Sequence, residues 1–229
     1  MIRIQGDRCI IFELGDHIDA NTGLKCLHLA QQFRRADLRG VTDVIPSFIT
    51  VAIQFEPHPD HGGNPIEYFK EATRSLIDQP VDSSLIESRI IDIPVCYEAE
   101  FGIDLDFVAQ TAKCSVDDII REHTESLSRV YMLGFAPGQP YIGIHGDRLN
   151  IPRRSTPRTA LPKGSVAIAN RQTTLYPNIL PGGWHVIGTT PIALFDLHRA
   201  QPSLLEPGDQ VRFVSISSEH FKSIQNSEA

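Results

Sequence analysis

VYMLGFAPGQPYIG, residues Val130 to Gly143, marks the point at which the chain changes texture. Before it, apolar residues recur at helical spacing in several segments. After it, helical periodicity almost disappears, and short runs of β type (VYMLGF, SVAIA, WHVIGT, IALFDL, QVRFVSI) alternate with turns made of PG, GG, KG and GD. Runs rich in Val, Ile and aromatic residues, punctuated by glycine and proline, predict an all-β barrel or sandwich with elaborated loops over residues 130–229.

The N-terminal half reads differently. Arg8 to Leu14 (RCIIFEL) is a strand-type run closed by Gly15, and from Asn21 to Arg35 the residues Leu24, Leu27, Ala30 and Phe33 recur every third position, as on the buried side of an amphipathic helix. GVTDVIP and SFITVAIQFEP read as two strands turning near Pro46; HPDHGGNP is a loop, and Pro65 suits the first turn of a helix carrying Ile66, Phe69, Leu76 and Ile77. A further strand spans Arg89 to Val95. The order strand, helix, strand, strand, helix, strand predicts a split β-α-β (ferredoxin-like) domain over residues 1–95, one sheet face covered by two helices.

Between Asp104 and Thr124 lie two short helices, the second opened by Ser115 with Asp118 as a capping-box pair, so residues 96–129 read as a helical connector. The polar tail from Ser217 to Ala229 reads as a frayed end. The expected class is therefore α+β.

With 229 residues the chain can bury a core without staples, and its 21 basic against 28 acidic residues give a net charge of −7. That balance argues against nonspecific binding to nucleic acid or to an anionic membrane. Cys9, Cys26, Cys96 and Cys114 form no CxxC pair and read as small apolar residues of a reducing compartment. MIRIQGDRC lacks the pattern of a signal peptide, and no apolar run approaches the roughly 20 residues of a membrane span, so a cytoplasmic location is expected.

The candidate chemistry gathers between Leu133 and Thr190. Gly138, flanked by Pro137 and Pro140, can take positive φ or let a ligand approach the backbone beside Tyr141; the alternative is that these residues only shape barrel corners. Arg153, Arg154 and Arg158 crowd into six positions, and their guanidinium forks suit a carboxylate or phosphate; the alternative is ion pairing with Asp147 or another carboxylate. Gln172, Thr173, Tyr176, Trp184 and His185 could line one polar pocket with an apolar wall, although strand alternation sends Trp184 and His185 to opposite faces. His123 and His185 are the candidate proton carriers, and each also has a structural reading.

Other signals are weaker. His58, Asp60 and His61 lack a third well-spaced ligand, so no metal is expected; Asp16, Asp43, Asp196 and Asp209 read as turn or surface residues. There is no GxSxG elbow, and without GxxxxGK[ST] or GxGxxG no nucleotide site can be assigned from a phosphate loop.

GVTDVIPSFITVAIQFEP, IPVCYEAEFGIDLDFVAQ, LGFAPGQPYIG, PRRSTPR, LPKGSVAIA, QTTLYP and PGGWHVIGTTP resemble, in that order, the family of the 5-oxoprolinase B subunit. The same family holds the inhibitor of the sporulation histidine kinase and subunit 1 of allophanate hydrolase, and corresponds to one half of the carboxyltransferase domain of urea carboxylase. The resemblance runs from about Arg8 to Ser217. It implies that the C-terminal barrel is cyclophilin-like and that the chain works with two partners, a homologous C subunit together with a separate A subunit. It further implies that the complex hydrolyses 5-oxo-L-proline to L-glutamate with consumption of ATP, no cofactor being bound by this chain.

Under this resemblance Arg153, Arg154 and Arg158 would hold a carboxylate or phosphorylated intermediate, with Tyr141 and Gly138 in the same binding surface. Gln172, Thr173 and Tyr176 would hydrogen-bond an amide or developing oxyanion, and His123 or His185 would move a proton. A regulator that docks on a sensor histidine kinase, and one half of an allophanate hydrolase or carboxyl-transfer unit, are the alternatives. Where the family pattern is LGFxPGFPYLGGLDPRL, this chain has Gln139 in place of the usual phenylalanine and Ile144, His145 and Gly146 before the aspartate. Asn170 and Thr174 stand where glycines are usual. The glutamine makes the pocket or partner face more polar than the family's ring would.

Overall fold

The computed structural model describes residues 1–77, 79–82, 86 and 88–227. By contact the chain divides into two units, Met1–Glu87 and Ser88–Ala229.

In the first unit, β1 (Ile2–Ile4), β2 (Cys9–Glu13), β3 (Val41–Pro46) and β4 (Thr50–Phe55) form an antiparallel sheet in the order β1-β2-β4-β3. Helix α1 (Ala20–Arg35) starts where the Asp19 carboxylate accepts the N–H groups of Asn21 and Thr22, and α2 is Pro65–Ile77. Alternation along the strands sends Ile10 and Phe12 of β2, and Val51, Ile53 and Phe55 of β4, into one core with Cys26, Leu29, Ala30 and Phe33 of α1 and Phe69 of α2.

The strand expected to complete this sheet, Arg89 to Val95, lies elsewhere. Its residues form β5 (Ile90–Cys96), which pairs along its whole length with β13 (Gln210–Ile216) in the second unit. Beside β2 the edge belongs to β1, with Ile2 opposite Phe12 and Ile4 opposite Ile10. β5 buries Ile93, Val95 and Cys96 completely, which needs neighbours on both sides; three residues at the N-terminus are too few to display an alternation.

The second unit is built on a closed barrel of seven strands: β10 (Gln172–Leu175), β7 (Pro140–Gly143), β6 (Ser128–Leu133), β13, β5, β12 (His185–Thr189) and β9 (Ser165–Ala169), which returns to β10. β9 and β10 are joined by Asn170 and Arg171, both at positive φ (49° and 64°). Two such residues in a hairpin turn account for the asparagine at a position where the family pattern has glycine. β8 (Arg158–Leu161) and β11 (Leu180–Gly182) make a separate two-stranded ribbon.

The barrel is not all-β as expected. Helices α3 (Leu105–Ala112) and α4 (Val116–Glu125) are part of the same unit, and their Leu105, Val108, Ala109 and Ile119 are buried in one cluster with Ile93, Ile142, Ile168 and Phe213 of the strands. α4 opens with the expected capping box between Ser115 and Asp118. IALFDL is not a strand: Asp196 accepts the His198 N–H and Arg199 bonds the Ala193 carbonyl, so a turn interrupts it after a single bridge from Phe195 to Ser203. Nor does the tail fray from Ser217: Ser218–Ser227 is helix α5, whose Phe221 packs on Phe101 with ring centroids 4.7 Å apart.

Candidate functional site

All five residues of β9 are buried, because the strand is covered on both faces. Val166 and Ile168 point into the barrel core, whereas Ala167 and Ala169 belong to a second cluster with Leu161, Tyr176, Trp184 and Val186, against which Tyr141 and Leu180 pack. Small residues on this outer face leave room for Tyr176 and Trp184 to lie between the barrel wall and the β8–β11 ribbon. Burying side chains of that size contributes about 2 kcal/mol each.

Over this cluster opens a cavity of about 180 Å³, walled by Tyr141, Tyr176, Trp184, Gln139, Arg153 and Gly182 among others. Tyr141 meets Trp184 edge to face at 5.8 Å, and the Arg153 guanidinium sits 5.5 Å from the Trp184 ring centroid. Burial pushes the Tyr176 hydroxyl up to about 12, and burial likewise raises that of Tyr141 against the opposing pull of Arg153, so both are neutral donors at pH 7. Gly182 is required here: a Cβ on it would stand 2.2 Å from the Tyr176 hydroxyl.

The three arginines divide their work. Arg158 grips Asp104 with both terminal nitrogens at 2.7 Å, and Arg154 reaches the same carboxylate at 3.1 Å. Asp104 also accepts the Val186 N–H at 2.8 Å and is only 5% exposed. Burial alone would raise its carboxyl, but Arg158, the Val186 amide and Arg154 together hold it below the ordinary carboxylate range. Arg153 and Arg154 both line the cavity; Arg154 is committed to Asp104, whereas Arg153 has no carboxylate partner among the described residues.

A second cavity of about 300 Å³ lies on the other side of the arginine loop, lined by Phe107, Thr111, Pro152, Arg154 and His185 among others. Trp184 and His185 thus face opposite ways, as alternation requires. The His185 ring stacks on Phe107 at 4.9 Å and gives its Nε2–H to the Pro152 carbonyl at 3.0 Å. Burial lowers its pKa.

The remaining sequence candidates lie apart from both cavities. His123 is fully buried and stacked on Phe213, with its Nδ1 2.7 Å from the Tyr97 hydroxyl and its Nε2 3.0 Å from Thr173 Oγ1. His145 Nε2 approaches the same hydroxyl at 2.7 Å. Thr173 is therefore interior, and Gln172, paired with Gly143 and Ala169, lines neither cavity. Gly138 turns at φ +77°, and the neighbours it admits are Phe195 and the Leu194 carbonyl. His61 bonds the Arg39 carbonyl and caps a short 3-10 turn with His58.

Asp104 was not among the sequence candidates, whereas Gln139, whose polarity the sequence set against the pocket or partner face, is a wall of the cavity. Three arginines clustered in an acidic chain imply a carboxylate near them, but nothing in the spacing of GIDLD selects Asp104 from its neighbours.

The chain matches the family described as carboxyltransferase domain, subdomain C and D, over residues 1–205. It is 36% identical over 222 residues to the 5-oxoprolinase B subunit of Bacillus subtilis, covering 94% of this chain and 92% of that one. Among solved structures, TTHA0988 superposes with a TM-score of 0.76 at 31% identity; the match covers 95% of this chain and 41% of that one, so the chain spans about two fifths of its length. The urea carboxylase of Kluyveromyces lactis shares the fold, with a TM-score of 0.75 at 22% identity over 99% of this chain and 22% of that one.

Proposed function

We propose a function from one premise: this chain belongs to the carboxyltransferase-domain family, subdomain C and D, together with the 5-oxoprolinase B subunits. The chain is the B subunit of an ATP-dependent 5-oxoprolinase that hydrolyses 5-oxo-L-proline to L-glutamate with its A and C partners. The barrel, with two helices added to it, is of the cyclophilin-like kind, and the complex is cytoplasmic. Among the described residues no helix is long and apolar enough to cross a membrane.

The observation that carries this reading is the cavity between Tyr141, Tyr176 and Trp184 under Arg153. Its volume of about 180 Å³ suits a small ring acid rather than a nucleotide. Arg153 would take the carboxylate, the aromatic walls would hold the ring, and neutral tyrosine hydroxyls would donate to the lactam carbonyl as charge builds on it. The Asp104 pair with Arg154 and Arg158 fixes the loop that carries Arg153.

No histidine or carboxylate lines the cavity among the described residues. Proton transfer and ATP chemistry are therefore assigned to the partner chains, and this chain alone would bind without turning over. The test is ATP-dependent release of glutamate from 5-oxoproline by the purified chain, with and without its A and C partners. Turnover in the full mixture alone is expected; none in a mixture shown to assemble would overturn the reading and send the chain to kinase-inhibition and allophanate assays.

A further inference from the structure

Gln139 is 2% exposed in the wall of the aromatic cavity, and the two ends of its amide differ. Nε2 lies 3.1 Å from Thr174 Oγ1, while Oε1 has no hydrogen-bond partner among the described residues. Which end is which is fixed by the next bond in the chain. The Thr174 hydroxyl donates its single hydrogen to the Pro140 carbonyl at 2.8 Å, so towards Gln139 it can only accept, and the group facing it must be the NH2. The backbone of Gln139 is also spoken for: its N–H goes to the Ala136 carbonyl at 3.0 Å and its C=O takes the Gly134 N–H at 3.1 Å. A carbonyl oxygen is thus left in a rigid setting, buried and without a donor, at a free-energy cost that a ligand N–H would remove.

We propose that Gln139 sets the specificity of this cavity: its side-chain carbonyl accepts an N–H from a small planar ligand whose anionic group is held by Arg153. The ligand class is a ring or chain amide acid with a free N–H. This rests on reading the cavity as the substrate site of the complex, and it adds that the amide N–H, not only the carboxylate, is recognised. Thr174 is a positioning residue, since it acts by fixing the amide.

The experiment compares 5-oxoproline with the γ-lactone acid of the same ring, in which oxygen replaces the N–H, in the assembled three-component complex. KM and kcat are measured for the lactam, and Ki for the lactone as a competitor. A site built around an N–H acceptor rejects the analogue that lacks the donor, so a wild-type preference of about 100-fold or more is expected. Gln139→Leu should bring that preference below about tenfold, acting on KM more than on kcat; Thr174→Val, which unpins the amide while leaving it in place, should reduce it in the same direction. A merely structural role for Gln139 would change both constants for both compounds together. An active wild-type complex whose preference is unchanged in both variants would overturn the assignment of Gln139 alone. An inactive wild-type complex would overturn the oxoprolinase reading and this assignment with it.

Discussion

Thr173 stands between two buried imidazoles, its hydroxyl 3.0 Å from Nε2 of His123 and 2.7 Å from Nε2 of His145. The line continues to the Tyr97 hydroxyl at one end and towards Ser128 at the other. With one hydroxyl hydrogen to give, Thr173 can donate to one ring and accept from the other, and in either polarity both rings are neutral. Burial, with His145 adding to it, holds His123 well below its ordinary pKa; burial lowers that of His145 to about 4, and nearby Arg171 acts the same way.

Stability of the second unit should therefore depend on pH in a defined direction. Both rings take up protons more readily unfolded than folded, so their contribution is complete above the unfolded value of about 6.5 and is lost as pH falls from there towards 4. For His145 alone the loss is on the order of 3 kcal/mol across that window. Urea denaturation between pH 7.5 and 4.5 should show the midpoint falling, and His145→Gln should flatten the slope. A midpoint constant over that range would contradict neutral burial.

Removing the Asp104 carboxylate should be costly. Asp104→Ala leaves Arg154 and Arg158 without their shared partner and the Val186 N–H without its acceptor. Breaking a buried pair from one side costs about 3 kcal/mol, and the effect should appear in the urea midpoint of the isolated chain. Arg158→Gln, which removes the bidentate half, should cost less than Asp104→Ala. Equal stability of Asp104→Ala and wild type would mean that the loop is held by other contacts.

Much of the first unit was legible because its strands and helices bury one face each: Ile10, Phe12, Ala30 and Phe33 occupy the core their spacing assigns them. What local pattern could not show was partnership. β5 has the same apolar run whether it closes the small sheet or the barrel, and only β13, 120 residues away, settles its place. At the candidate site the residue types were visible and their pairing was not. Arg154 and Arg158 meet a carboxylate some 50 residues back along the chain, and His123 turns inward to Thr173. Gln139 and Thr174, noticed separately as departures from the family pattern, proved to touch.

Arg153 should behave unlike its two neighbours. It lies over Trp184 and is not committed to a carboxylate among the described residues, so its loss should spare the fold. Arg153→Gln is expected to raise KM for the lactam acid about tenfold or more in the assembled complex with the urea midpoint unchanged, since a charge-assisted bond to the ligand is what it removes. Arg153→Lys, which keeps the charge but loses the planar fork, should fall between the two. A variant whose KM equals that of wild type would take the carboxylate role away from Arg153.

Gly182 offers the sharpest steric test of the cavity itself. A methyl group there would stand 2.2 Å from Tyr176 Oη and 2.8 Å from Leu161 Cδ1, both closer than real contacts allow. Leu161 and Tyr176 are 1% and 2% exposed in the cluster under the cavity, and because the tyrosine contact is the shorter one the tyrosine is displaced further. Its movement displaces a hydroxyl from the wall that faces Arg153 and narrows a volume of only about 180 Å³. Gly182→Ala should therefore weaken binding of the ring acid by roughly tenfold or more, with an overpacking cost of about 1–3 kcal/mol on the fold. Calorimetric titration of the complex alongside urea denaturation separates the two effects. Removing the tyrosine hydroxyl as well, in Gly182→Ala with Tyr176→Phe, takes away only the shortest contact and leaves Tyr176 Cζ and Leu161 Cδ1 at 2.8 Å, so it should recover a part of the stability without restoring affinity. Recovery of both together would show that Tyr176 shapes the cavity without donating to its ligand.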